Sequence, residues 1–320
     1  ALAEQGKLTD PQTLASQVDR MLADKRSEAC VKNFSGQWLG TRQVGPNRPA
    51  RQIFARYDDH LELSFIRETE AFFAHILKND WPVTDFIRSD YVLTNERLAR
   101  FYGIPGIRGD HMRVVQPPAE AHRGGVLTQG TVLSVTSNGT RTSPVWRGVW
   151  ILENLLDDPP PPPPPNAGDI PPAKEDLSKV SLRKRLRLHR NNPQCARCHN
   201  KIDPLGFALE NFDAAGGWRT VETKGRQSRA APDDPVIDAN AQLPDGTRFS
   251  GIEGLQRELL KRREQFYACL ARKLMIYALG RDLGFGDQEF VDQAVFAMRA
   301  DPTLRILIKQ IVSSDLFLRK

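Results

Sequence analysis

The chain has 320 residues with 45 Lys and Arg against 39 Asp and Glu, a formal charge of +6, and is 40% hydrophobic and 26% charged. This globular composition excludes a disordered or fibrous chain, and no run approaches the roughly 18 apolar residues of a membrane span. Four cysteines exclude a disulfide scaffold, and at about 100–200 residues per domain the length predicts two domains or three smaller ones.

The chain starts at Ala1 without a charged segment leading into an apolar one, which fits a processed protein or a piece of a longer one. Thr9-Asp10-Pro11 predicts a capped helix start, with Leu14, Val18, Met21 and Leu22 following at helical spacing. A second helix is predicted to carry Cys30, Phe34, Trp38 and Leu39 on one face. Leu61, Phe65, Ile66, Phe72, Phe73, Ile76 and Leu77 then form a broad apolar stripe. A short helix starts at Asn95 and stops at Gly103 and Pro105. The first third therefore reads as helical.

Gly124, Gly125, Gly130 and Gly139 mark a change of texture, after which Ser143-Pro144 opens an apolar helix reaching Leu156. Residues 159–165 are an unbroken proline run. Such a run reads as a polyproline II rod, roughly 22 Å long at about 3.1 Å per residue. Residues 176–190 predict a basic amphipathic helix, with Arg183, Lys184, Arg185, Arg187, His189 and Arg190 beside Leu182, Leu186 and Leu188. The charge surplus is too thin for a nucleic-acid partner, and the basic residues read as a solvated face. A basic rim also steers an acidic redox partner. Pro244-Asp245-Gly246 predicts a short hairpin, and helices over 253–280 and 288–317 close the chain.

Cys195-Ala196-Arg197-Cys198-His199 has the form C-x-x-C-H, the c-type haem attachment pattern. Two thiols on one helical turn each add to a vinyl group of one porphyrin, and the adjacent imidazole reaches the iron from one face. Two other chemistries use the same residues. A zinc site needs a fourth ligand and usually a second paired cluster, which is absent. A thioredoxin-like dithiol expects the pair at a helix start after a strand, whereas here a helix and Asn191-Asn192-Pro193 precede it.

Asp203-Pro204-Leu205-Gly206 follows closely, and in simple c-type cytochromes a similar Pro-containing loop offers a backbone carbonyl to the proximal imidazole. Pro204 or its neighbour is thus the expected acceptor for His199. Phe207, Leu209 and Phe212 are candidate haem walls, with ordinary core packing as the alternative. Trp218 and Arg219 are candidate propionate contacts, the alternative being core for Trp218 and solvent for Arg219. His189 and Met275 are the candidate sixth iron ligands, with Met298 a poorer one. Methionine would raise the potential, and an open site would admit peroxide or small ligands. Cys30 and Cys269 either pair, stapling the first module to the last, or stay separate buried thiols.

The chain resembles the large multi-module c-type cytochromes of planctomycetes and related bacteria, built from consecutive domains of unknown function. Residues 65–73 around Arg67-Glu68-Thr69-Glu70, with Ser89-Asp90-Tyr91 and residues 95–105, are similar to the family's first shared module. Residues 123–129, 136–145, the C-x-x-C-H run and residues 202–213 are similar to its middle module, and residues 274–281 to its last. The resemblance implies an exported haem protein whose longer relatives carry further N-terminal domains, so that this chain would be a C-terminal portion. It also implies a haem-related role at His189, and it singles out neither Cys30 nor Met275.

The expected molecule is mainly α, with a helical module over 1–116, a middle module over 117–219 holding the proline rod and the haem motif, and a helical module over 220–320 that packs on the haem part. Its expected role is electron transfer in the periplasm or at the cell surface, through one covalent haem c, to a redox partner protein or within a larger complex. A haem enzyme of peroxidase or oxidase type with an open distal site, or a structural haem subunit, are the alternatives.

Overall fold

The computed structural model describes residues 2–162, 180–189, 193–223 and 231–319. Thirteen α-helices and two two-stranded antiparallel sheets are described, so the fold is mainly α. Among the described residues no helix is long and apolar enough to cross a membrane.

Side-chain caps start several helices. Asp10 accepts from Thr13 N at 2.7 Å and Pro11 occupies the first turn of α1 (Pro11–Ala23). Only Val18 is buried in this helix and Met21 is exposed, so the expected four-residue stripe is narrower than its spacing suggests. In α2 (Ser27–Trp38) the buried face is Val31, Phe34 and Trp38, and Cys30 lies off it, exposed. Asp58 caps α3 (Asp59–Lys78), whose Leu61, Phe65, Phe72 and Ile76 point into the protein. The stretch before residue 116 is not purely helical. β1 (Val92–Thr94) pairs antiparallel with β2 (Arg113–Val115), bracketing α4 (Glu96–Tyr102), which Asn95 caps and Gly103 ends in the left-handed region.

The middle of the chain holds α5 (Gly130–Val135), α6 (Pro144–Asn154), α7 (Leu182–His189) and α8 (Pro193–Phe207). Of the expected basic helix, residues 176–179 and Arg190 lie outside the described residues, as do residues 163–165 of the proline run. The predicted hairpin is β3 (Asn240–Gln242) with β4 (Arg248–Ser250), turning through Gly246 at φ 89°. The helix expected over 253–280 is two, α9 (Gly251–Lys261) and α10 (Arg263–Leu279). The last stretch divides into α11 (Gln288–Ala300), α12 (Leu304–Ser313) and α13 (Asp315–Leu318).

One continuous core joins all thirds of the chain. Phe34, Trp38, Phe72 and Phe86 meet Ile151 and Leu155 of α6, Ile202 and Leu205 of α8, and Phe266, Leu270 and Leu307 of the last helices. Trp38 stacks or edges against Phe34, Phe73, Phe86 and Phe266, and its indole N–H donates to Asn154 O at 2.9 Å. Burying a ring of this size stabilises by roughly 1.5–3 kcal/mol, so the contact ties α2 firmly to the end of α6.

Candidate cofactor site

The C-x-x-C-H residues lie in the first two turns of α8. Pro193 suits the first helical turn because its missing N–H has no intrahelical partner there. Ile202, Leu205 and Ala208 bury one face of the helix against the shared core. The face toward α6 is closed by two glycines. A Cβ on Gly206 would stand 1.8 Å from Pro144 O, and one on Gly148 would stand 2.1 Å from Ile202 O. No other residue permits that approach, and the two contacts run α6 antiparallel to α8.

The helix continues through Pro204 to Phe207, where the sequence suggested a loop. Proline contributes no N–H to the helical ladder and disfavours an interior position by about 3 kcal/mol. Burial of Ile202, Leu205 and Phe207 on both sides outweighs that cost.

Cys195 and Cys198 are half-buried, and Cys198 packs against the shared core. His199 Nδ1 lies 2.8 Å from Asp203 Oδ1, one helical turn on; the His199 side chain is 16% exposed and that of Asp203 is fully buried. The acceptor of the imidazole is therefore the neighbour of Pro204 and uses its carboxylate. An accepting carboxylate places the ring proton on Nδ1, so Nε2 is the nitrogen that would donate to a metal.

After α8 the chain turns around a buried ion network. The Arg147 side chain has no exposed surface; its guanidinium donates to Leu209 O at 2.7 Å, Phe212 O at 2.9 Å, Asp213 O at 3.0 Å and Glu210 Oε1 at 3.2 Å. Burial lowers its pKa to about 10, so it stays charged at neutral pH. Arg219 joins the same network, donating to Glu210 O, Glu210 Oε2 and Thr142 Oγ1 at 3.0–3.2 Å. Trp218 is partly exposed and stacks on His122 with ring centroids 3.6 Å apart at 14°, while its edge meets Phe212. Phe207 is buried with Leu182 and Leu186 of α7, under the Arg183 guanidinium at 4.0 Å from its ring centroid. The basic helix is therefore partly inward-facing: Arg183 also donates to Asp238 O and Asn240 O.

Met275 and Met298 have no exposed surface within the shared core. His189 ends α7, and its side chain lies outside the described residues. Cys30 and Cys269 are both free thiols. Cys30 shares a hydrogen bond with Tyr277, whereas Cys269 Sγ lies 3.7 Å from Glu153 O, so the two thiols have separate neighbours.

Among the buried ionisable side chains that sequence reasoning missed are two that link separate segments of the chain. One is Arg147. The other is Glu68, which lies on the apolar face of α3 with Tyr102 and Arg123 around it. The signal for Glu68 was present, since it shares the helical phase of Leu61, Phe65 and Phe72.

The donor set fits a haem. Among the described residues no three His, Cys, Asp or Glu side chains converge as metal ligands. A porphyrin brings four of its own nitrogens, so one imidazole and two tethering thiols are what it needs from the chain. The fold and this helix define a mainly α-helical multi-module chain with a C-x-x-C-H turn at its centre. Residues 1–104, 123–222 and 245–317 match three family models, described as proteins of unknown function DUF1592, DUF1588 and DUF1585. The chain belongs to the planctomycete-type multi-module cytochrome family built from these consecutive modules, whose cytochrome-c-like character points to a haem protein. Comparison with curated proteins and with solved structures gave no match.

Proposed function

We propose that the chain is an exported monohaem c-type cytochrome that transfers electrons through covalently bound haem. The observation that carries this reading is Cys195, Cys198 and His199 close together on one helix, with His199 Nδ1 held by Asp203. Cys195 and Cys198 would hold the ring as thioethers, and His199 Nε2 would be its axial donor. When bound, haem supplies a one-electron couple at its iron. Covalent attachment of this type follows export, which supports the periplasm or the cell surface.

The chain's own residues would do the remaining work. Arg147 fixes the turn that follows α8 through four acceptors, so the donor helix has a rigid end. Lys184 and Arg187 are exposed on α7 and supply cationic surface for an acidic redox partner. Met275 is enclosed in the core, and His189, on the helix leading into α8, is the sixth-ligand candidate carried forward.

Mass spectrometry of the denatured protein and oxidised and reduced optical spectra test the proposal. The expected result is a haem-sized adduct that survives acidified organic solvent, with a low-spin spectrum that changes in His189→Ala. Haem lost to the solvent would sink the covalent assignment. Rapid binding of CO by the native ferrous protein would favour a haem enzyme with an open distal site over an electron carrier.

A further inference from the structure

Resting on the haem reading above, we infer that Asp203 is the positioning residue that sets the donor strength of His199 and thereby lowers the reduction potential of the bound haem. The geometry is local and enclosed. His199 and Asp203 stand four residues apart on α8, Nδ1 to Oδ1 at 2.8 Å, and the Asp203 side chain has no exposed surface.

Among the described residues two other histidines pair with carboxylates, and their surroundings differ. His60 meets Asp110 at 2.9 Å and His122 meets Glu253 at 3.2 Å, but the acidic partners are 55% and 51% exposed. Water and salt screen those pairs. Water does not reach Asp203, so its carboxylate acts at closer to full strength on the one imidazole that follows two cysteines.

The chemistry follows from the acceptor. A hydrogen bond to an ionised acceptor is roughly twice as strong as one between neutral groups. A carboxylate on Nδ1–H therefore makes Nε2 a stronger donor than a backbone carbonyl does. A stronger donor favours the more positive state of a metal, and the potential falls.

The backbone holds this arrangement rigid. Ile202 and Leu205 flank Asp203 in the core, and the Gly148 and Gly206 contacts press α6 onto the same turn. The side chain is thus fixed by packing, with Oδ1 held 2.8 Å from the ring nitrogen.

The test is Asp203→Asn in the haem-loaded protein, read by midpoint potential and by the iron–imidazole stretch after photolysis of the ferrous–CO form. Asparagine keeps the volume and an acceptor oxygen but removes the charge. The expected result is a higher potential, by at least the tenfold change in equilibrium constant that corresponds to about 59 mV for one electron, with a lower stretching frequency. Retained haem with both readouts unmoved overturns this inference and leaves the cytochrome reading standing. If Asp203→Asn does not fold, the stretch in the unsubstituted protein decides. A frequency raised above that of carbonyl-bonded imidazole supports the inference, and a frequency equal to it overturns it. Absence of haem on the unsubstituted chain overturns the cytochrome reading and this inference together.

Discussion

The Glu68 carboxyl accepts the Tyr102 hydroxyl at 2.7 Å with both side chains buried, joining α3 to α4 inside the protein. Gly130 N–H, at the start of α5, donates to the same hydroxyl oxygen at 2.8 Å, and the Arg123 guanidinium lies 3.7 Å from the Tyr102 ring centroid. Burial pushes Glu68 up to about 8, against the pull of Tyr102, Arg123 and the Gly130 amide.

This pair makes stability depend on pH. An unfolded chain releases the Glu68 proton near the ordinary value of 4.5, whereas the folded protein holds it until about pH 8. Across that window the folded state binds more protons, so its stability falls as pH rises, by at most about 1.4 kcal/mol per pH unit for one group. Glu68→Gln should flatten that part of the profile. Melting temperatures recorded from acid to mildly alkaline pH check this, and identical slopes in the two proteins would count against it.

The contact between α6 and α8 is predicted to tolerate no side chain. Gly206→Ala and Gly148→Ala each drive a methyl into a backbone carbonyl and should cost about 1–3 kcal/mol or more. Gly286, whose added Cβ would meet nothing within 4 Å, is the control; its alanine variant should stay within about 0.5 kcal/mol. Urea midpoints for the three variants decide the matter, and equal midpoints would show that the helices can separate freely.

Removing Arg147 should be expensive in a way that depends on Glu210. Arg147→Met takes the donor from three carbonyls and leaves Glu210 to Arg219 and Thr142. The expected loss is about 3–5 kcal/mol, as for a broken buried ion pair. Adding Glu210→Gln should recover part of it, because the two side chains share one network. A cycle measured by denaturant unfolding that gives strictly additive losses would contradict this coupling.

Thiol labelling separates the four cysteines. In the native protein Cys30, exposed although burial pushes its thiol up, should react slowly with iodoacetamide, whereas Cys269, buried and with its thiol pushed up to about 12, should resist. After denaturation of the haem-loaded protein Cys30 and Cys269 should both react, and Cys195 and Cys198 should stay blocked as thioethers. Peptide mass mapping reads the outcome. Four labelled cysteines would rule out the tether, and linked Cys30 and Cys269 peptides two hydrogen atoms lighter would rule out free thiols there.

Local chemistry in the sequence was the readable part. The Asp10 and Asn95 starts and the Pro244-Asp245-Gly246 turn stand where their residue types predict, because each acts on its nearest backbone neighbours. The three-residue strands β1 and β2 are too short to show a period of two, so their pairing across α4 was invisible. Pro204 read as a break because propensity ignores what Ile202 and Leu205 bury. At the site, Cys195, Cys198 and His199 were legible from spacing alone. The role of Asp203 was not, because its position one turn after His199 is common, while its complete burial depends on α6, a helix distant in the chain.

The donor residues from Cys195 to Asp203 occupy about two and a half turns of one helix, whereas the core that encloses them is assembled from segments far apart in the chain. The donor residues are thus local in sequence, and bringing them together needs no long loop to close. A tether made on that helix does not have to wait for the rest of the chain to find its place.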